Sequence, residues 1–290
     1  MSDYLVRGVG EGGQFRVFAA VTTELVEEAR RRHDTWPVAS AALGRTLTAG
    51  LLLGANLKGD DLLTLRIFGE GPLGAIIVTA SAQGEVKGYV QEPHVDLAPE
   101  VEGKLPVGAA VGKGFLYVTK DLGLKEPFTG SIELVSGEIG EDVAQYLLTS
   151  EQNPSAVALG VLVAPDARVA ASGGLIIQLF PGAEEGILTR LERSLGELPP
   201  VSSLVNRGLT PEEIVSKAVG GLPVQYLEKS PVGFKCTCSR DRIGGILMAM
   251  GKTEIEKILE EQGEAEVRCH FCGDFYTFNA SDLKAILADS

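Results

Sequence analysis

Apolar and polar positions change rhythm several times along this chain, and each change marks an element. Residues 4–20 alternate on either side of the turn signal Gly10-Glu-Gly-Gly, which predicts a β-hairpin. Residues 22–33 carry acids in their first turn and bases in their last, as a helix dipole favours. Residues 38–57 are rich in Ala, Leu, Gly and Thr and predict a buried helix that packs closely through its small side chains. Alternating or β-branched runs then predict strands at 62–68, 75–80, 86–90, 115–120 and 130–135. A helix over 141–152, with Pro154 just beyond it, precedes two buried strands at 157–163 and 169–179, the second expected to bend at Gly173-Gly174. The expected fold class is α+β: residues 1–180 form an N-terminal core domain with a mainly antiparallel sheet.

The texture changes at Pro181. Ile187, Leu188, Leu191, Leu195 and Leu198 recur at helical spacing until Pro199-Pro200, residues 201–206 suit another short helix, and Thr210-Pro-Glu-Glu213 offers a capping box. Helices this short are marginal alone and depend on docking. Residues 181–225 therefore read as a helical linker, either an ordinary connector or a segment whose docking is conditional. Residues 226–290 form a small C-terminal domain, with helices expected over 239–250 and 253–261, the second capped by a Thr253-x-x-Glu256 box. Its hairpin is built from Glu266-Val-Arg and Phe275-Tyr-Thr-Phe.

Composition narrows the function classes. Length and a hydrophobic content of 44% permit a sizeable core and more than one domain. A formal charge of −13 repels phosphate backbones and anionic membranes. The triple arginine 30–32 reads as a solvated helix end rather than an anion site. In the apolar helix the longest uncharged run, residues 46–57, is too short to cross hydrocarbon, and Arg45 precedes it, so no membrane span is expected. Met1-Ser-Asp-Tyr-Leu is no signal peptide, and a cytoplasmic location is expected.

All four cysteines lie near the C-terminal end: Cys236 and Cys238 in Phe-Lys-Cys-Thr-Cys-Ser, Cys269 and Cys272 in Arg-Cys-His-Phe-Cys-Gly. Two close pairs separated by a foldable insert suit a tetrahedral thiolate site, each pair gripping one edge. Soft sulfur donors select zinc, ahead of iron, over calcium or magnesium. Cys-x-Cys in an extended segment directs both sulfurs to one side, and Cys-x-x-Cys-Gly suits a tight turn between strands. His270 lies inside the second pair but reads as a neighbour, since four thiolates fill the shell. Such a site stabilises a small module by roughly 10 to 16 kcal/mol, so metal loss unfolds it. Its thiolates are also oxidisable, which permits a reversible switch.

Other chemistry is not legible. Gly69-Glu-Gly71-Pro-Leu-Gly74 spells a dinucleotide fingerprint, but strands rather than a helix follow it. There is no Gly-x-Ser-x-Gly elbow, Walker loop or His-Glu-x-x-His motif. Of the three histidines, His33, His94 and His270, His94 lacks a readable acid–base partner and a Cys-His dyad would need His270, which belongs to the metal turn. No enzyme is expected, and no catalytic residue is assigned.

Gly233-Phe-Lys-Cys-Thr-Cys-Ser-Arg together with Cys269-His-Phe-Cys-Gly resembles the zinc centre of the redox-regulated heat-shock holdases, the bacterial thirty-three-kilodalton chaperone family. Upstream, Arg31-Arg-His-Asp-Thr-Trp-Pro, Ala42-Leu-Gly-Arg, Asp121-Leu-Gly-Leu-Lys, Val135-Ser-Gly-Glu-Ile, Ser150-Glu-Gln-Asn-Pro-Ser and Gly173-Gly-Leu-Ile-Ile-Gln are similar to the same family, in order, over nearly the whole chain. The resemblance implies one Zn²⁺ on Cys236, Cys238, Cys269 and Cys272 in a poorly active reduced form. It implies that oxidation joins Cys236 to Cys238 and Cys269 to Cys272, releases zinc and unfolds the C-terminal part. The active form would then bind unfolding client proteins without ATP, as a homodimer. The alternative is a purely structural zinc ribbon, associated with nucleic acid or serving as an enzyme's accessory domain. Against nucleic acid, residues 226–290 carry eight Lys/Arg and eleven Asp/Glu.

Overall fold

The computed structural model describes residues 2–98 and 104–289. The elements of its first half are β1 (Tyr4–Gly10), a 3-10 turn (Glu11–Gly13), β2 (Phe15–Val21), α1 (Thr23–His33), α2 (Pro37–Gly54), β3 (Leu62–Gly69), β4 (Ala75–Ser81), β5 (Glu85–Val90), α3 (Val107–Val111), β6 (Gly114–Asp121) and β7 (Phe128–Glu133). Then come α4 (Gly140–Thr149), β8 (Ser155–Val163), β9 (Val169–Leu179), α5 (Glu185–Gly196), α6 (Val201–Asn206), α7 (Pro211–Ala218), β10 (Val224–Pro231) and β11 (Gly233–Phe234). The last are α8 (Arg240–Ala249), α9 (Lys252–Glu261), β12 (Ala265–Arg268), β13 (Phe275–Phe278) and α10 (Ala280–Asp289). The chain divides into two compact units after Phe234.

The first unit carries two sheets where the sequence predicts one. The first, ordered β10-β1-β2-β9-β8, is antiparallel throughout; the second, β11-β5-β4-β3-β6-β7, is antiparallel except for the β11–β5 pair. Residues 226–234, assigned from sequence to the C-terminal domain, complete both sheets: β10 pairs with β1, and β11 with β5.

Helix α2 is the filling between the sheets, and its composition explains why it fits. A Cβ on Gly44 would stand 2.5 Å from Val26 Cγ1 and 2.9 Å from Val161 Cγ2, so only glycine allows this approach. The buried hydroxyls of Thr48, Thr22 and Ser172 satisfy one another at 2.8 and 2.9 Å. Arg45, the charge in this apolar helix, meets Glu138 at 2.6 Å. Burial opposes ionisation of Glu138, but the bonds from Arg45 and from the Gly108 amide outweigh it and hold its pKa below the usual carboxylate value. Among the described residues no helix is long and apolar enough to cross a membrane.

The first sheet is covered on both faces. Leu5, Phe18, Ala20 and Ile176 face α1, α2 and the second sheet, while Tyr4, Val6, Val17, Ala19, Leu175 and Ile177 face α5, α6 and α7. Residues 181–225 thus dock on the sheet through Ile187, Leu191, Val201, Leu204, Ile214 and Val215. The capping box at Thr210 forms as expected, with Glu213 N donating to Thr210 Oγ1 and Thr210 N to Glu213 Oε2. Gly173 and Gly174 do not bend β9. They sit in its regular pairing with β2, where a Cβ on Gly173 would meet Ala20 O at 2.7 Å and one on Gly174 would meet Leu159 Cδ2 at 2.7 Å.

Two carboxylates hold helix ends. Asp142, fully buried, accepts the amides of Val135, Ser136, Gly137 and Ile139 at 2.7 to 3.3 Å and fixes the loop into α4. Asp3 accepts Leu25 N at 2.8 Å in the first turn of α1, where the N-cap residue Thr22 makes no side-chain capping bond. Burial dominates over these backbone bonds and raises the Asp3 pKa to about 6.

Two outcomes are expected. Asp142→Ala strands four amides, two of them buried, and costs about 3 kcal/mol, seen as a fall of roughly 6 to 12 °C in the melting of the first unit by calorimetry. For Asp3, the folded state holds its proton more tightly than the unfolded chain, so the group's contribution to stability falls as pH rises from 3.8 to about 6 and stays low above. Asp3→Asn removes that loss. Its denaturant stability relative to the parent therefore rises by on the order of 2 kcal/mol between pH ~4 and pH ~7, whereas a pH-independent difference would contradict a buried charge.

Candidate metal centre

The second unit, Lys235 onward, has a core of six buried residues: Ile243, Leu247, Ile255, Ala265, Phe278 and Leu283. So small a core rarely holds a fold without a further constraint. Its cysteines sit at two well-anchored places.

Cys236 and Cys238 lie in the segment between β11 and Ser239, the extended N-cap of α8, whose hydroxyl accepts Arg242 N at 3.2 Å. Arg242 Nη1 reaches Thr237 Oγ1, between the two cysteines, at 3.4 Å. Arg240 donates to Thr277 O and to Asp282, and its guanidinium lies 4.4 Å from the centre of the Phe278 ring, fastening the start of α8 to β13. Cys269 and Cys272 occupy the turn between β12 and β13. Cys269 N donates to Asp274 O at 2.9 Å and Gly273 N to Cys269 O at 2.8 Å, and Gly273 supplies the left-handed φ of 77° that the turn requires.

Together these anchors bring all four sulfurs within 4.8 Å of one another. The Cys236–Cys269 and Cys238–Cys272 sulfurs are 3.8 and 3.2 Å apart, and none of the four cysteines is in a disulfide. A tetrahedral zinc thiolate, with bonds of about 2.3 Å, requires sulfur–sulfur edges of about 3.8 Å. The donor set and its spacing therefore fit a tetrahedral cation. Tyr276 O–H donates to Cys238 Sγ at 3.1 Å.

The electrostatics differ across the cluster. Burial works against ionisation of Cys238, but hydrogen bonds from Tyr276 and the neighbouring thiols outweigh it and lower its pKa. Burial drives the Cys272 thiol far up. Four thiolates this close are mutually repulsive, and a divalent cation relieves that repulsion.

The remaining candidates lie elsewhere. His270 is exposed on the turn and is not part of the four-sulfur group. His33 is buried beside the Phe234 ring. His94 pairs with Asp34 at 3.1 Å and packs on Trp36, a partner sixty residues away that no local pattern announces. The arginines of α1 are taken by Glu27 and Glu28 of the same helix. The Gly69–Gly74 segment is a turn into β4, and its amides donate to carbonyls around α3: Glu70 to Lys113, Gly71 to Val111 and Leu73 to Ala110. The Thr253 box does not form; α9 starts at Lys252 behind Gly251, which has a φ of 92°.

Known proteins share this arrangement. Residues 3–279 match the family described as Hsp33 protein. A protein named 33 kDa chaperonin from Desulforamulus reducens is 61% identical over 99% of this chain and 98% of its own length. Its namesake in Symbiobacterium thermophilum is 55% identical over 98% of this chain and 96% of its own. The crystal structure of the Thermotoga maritima 33 kDa chaperonin superposes with a TM-score of 0.94 at 33% identity, covering 100% of this chain and 99% of that one. With two sheets around a small-residue helix and four clustered sulfurs in a separate C-terminal unit, the chain belongs to the Hsp33 family, which comprises chaperones and not enzymes.

Proposed function

We propose that this chaperone is an ATP-independent holdase of the cytoplasm whose activity is governed by the oxidation state of its four cysteines. The observation that carries the reading is the four-sulfur cluster at zinc–thiolate spacing inside a unit whose hydrophobic cluster holds six buried residues among those described. In the reduced state Cys236, Cys238, Cys269 and Cys272 hold one Zn²⁺. The metal closes the insert between the pairs and supplies the stability that so small a core lacks.

Oxidation removes the ligands. A peroxide accepts two electrons from two thiolates: its O–O bond breaks, an S–S bond forms, and solvent protons complete two waters. We assign the disulfides as Cys236–Cys238 and Cys269–Cys272, following the family resemblance. Each of these pairs shares one short segment and stays together when the unit loosens, whereas Cys236 and Cys269 are held close by the fold alone. Metal loss then unfolds the C-terminal unit. Undocking of α5–α7 follows and exposes the apolar face of the first sheet to unfolding clients, with the activated protein acting as a homodimer. A nucleic-acid role is disfavoured by the acidic balance of residues 226–290.

In one sample, zinc release, far-ultraviolet circular dichroism and suppression of aggregation of a heat-unfolded client enzyme are followed through peroxide and then thiol reductant. Release of zinc, loss of helix and gain of protection should coincide and reverse together; zinc retained, or lost without gain of protection, returns the site to a structural role. Cys269→Ser removes one ligand. It should lose bound zinc to a mild chelator and erase the calorimetric transition of the second unit, while that of the first remains.

A further inference from the structure

Tyr276 is on β13, opposite Val267, and its ring packs on the module's core beside Phe278. From there its hydroxyl reaches across the fold to Cys238 Sγ at 3.1 Å, so a residue of the second pair's hairpin touches a sulfur of the first pair. β13 is itself held to α8 through Arg240, which donates to Thr277 O next in sequence. The ring is thus held by packing against the core, and its strand by a guanidinium on the neighbouring carbonyl.

We propose that Tyr276 is a positioning residue that guards Cys238: its O–H bond withdraws electron density from that sulfur and slows its attack on electrophiles, thereby setting how much oxidant the cluster tolerates. This deepens the oxidation-switch reading and rests on it for its biological meaning. A hydrogen bond to a thiolate stabilises the sulfur lone pair that must become the new S–S bond. Withdrawing that bond makes the lone pair more available without altering any ligand. Groups in contact with metal ligands typically change affinity or reactivity by about 10- to 100-fold. The guard also couples the two pairs, because unfolding of the β12–β13 hairpin carries Tyr276 away and leaves Cys238 unguarded.

Tyr276→Phe keeps the ring and removes only the hydroxyl. In the full-length reduced protein loaded with Zn²⁺, where Cys238 is already a thiolate, alkylation by N-ethylmaleimide resolved by mass spectrometry should speed up about tenfold at Cys238, with circular dichroism and melting unchanged. In the cobalt-substituted protein the sulfur-to-metal charge-transfer band should shift to longer wavelength, a change that a purely structural role would not produce. Peroxide-driven zinc release should accelerate in parallel. An unchanged Cys238 alkylation rate with an unmoved band overturns the guard while leaving the switch intact. Faster alkylation in a protein whose zinc does not respond to peroxide sustains the guard and overturns the switch. Should Tyr276→Phe melt early, Tyr276→Leu separates packing from hydrogen bonding: equal Cys238 rates in both variants, normalised to the unfolded fraction, support the guard, and rates that track the unfolded fraction overturn it.

Discussion

The first unit depends on a sheet that water must not reach from either side. β1, β2 and β9 place apolar residues at successive positions, so that Phe18 and Ile176 look into the body while Val17, Ala19, Leu175 and Ile177 look outward. In a half-exposed sheet those outward positions would be polar. Here they are apolar, and α5–α7 are the cover they require. The cover is assembled from helices of 12, 6 and 8 residues, too short to be stable alone. The sheet needs the helices and the helices need the sheet, so the weaker partner sets the stability of that face.

The two units are stabilised by different means. In the first, a large apolar core is supplemented by a few polar anchors inside it, such as Asp142 on four amides and Arg45 on Glu138. In the second, a core of six buried side chains is supplemented by a cluster of sulfurs whose geometry is set by a helix cap on one side and a glycine turn on the other. A protein built this way can lose order locally without losing it everywhere.

Much of this was readable in the chain. The alternation at residues 62–68 and 75–80 gave β3 and β4, and the close cysteine pairs announced the cluster, because both signals are local. What sequence reading missed was long-range. That residues 224–234 belong to the body follows from strand pairing with partners far upstream, and the second sheet emerges only when β6 returns to β3. Gly173 and Gly174 looked like a bend because their actual reason, a neighbouring carbonyl and a leucine methyl at 2.7 Å, lies on other strands. Tyr276 read as one more strand aromatic for the same reason: its partner, Cys238, is thirty-eight residues earlier.

The pairing of β1 with β10 has a consequence for biosynthesis. β1 leaves the ribosome well before β10, yet one of its two edges is completed only by residues 224–231. Until then the nascent protein displays an open strand edge, and any chain arrested before residue 224 keeps it. A member of a chaperone family therefore spends its own synthesis with an unfinished sheet.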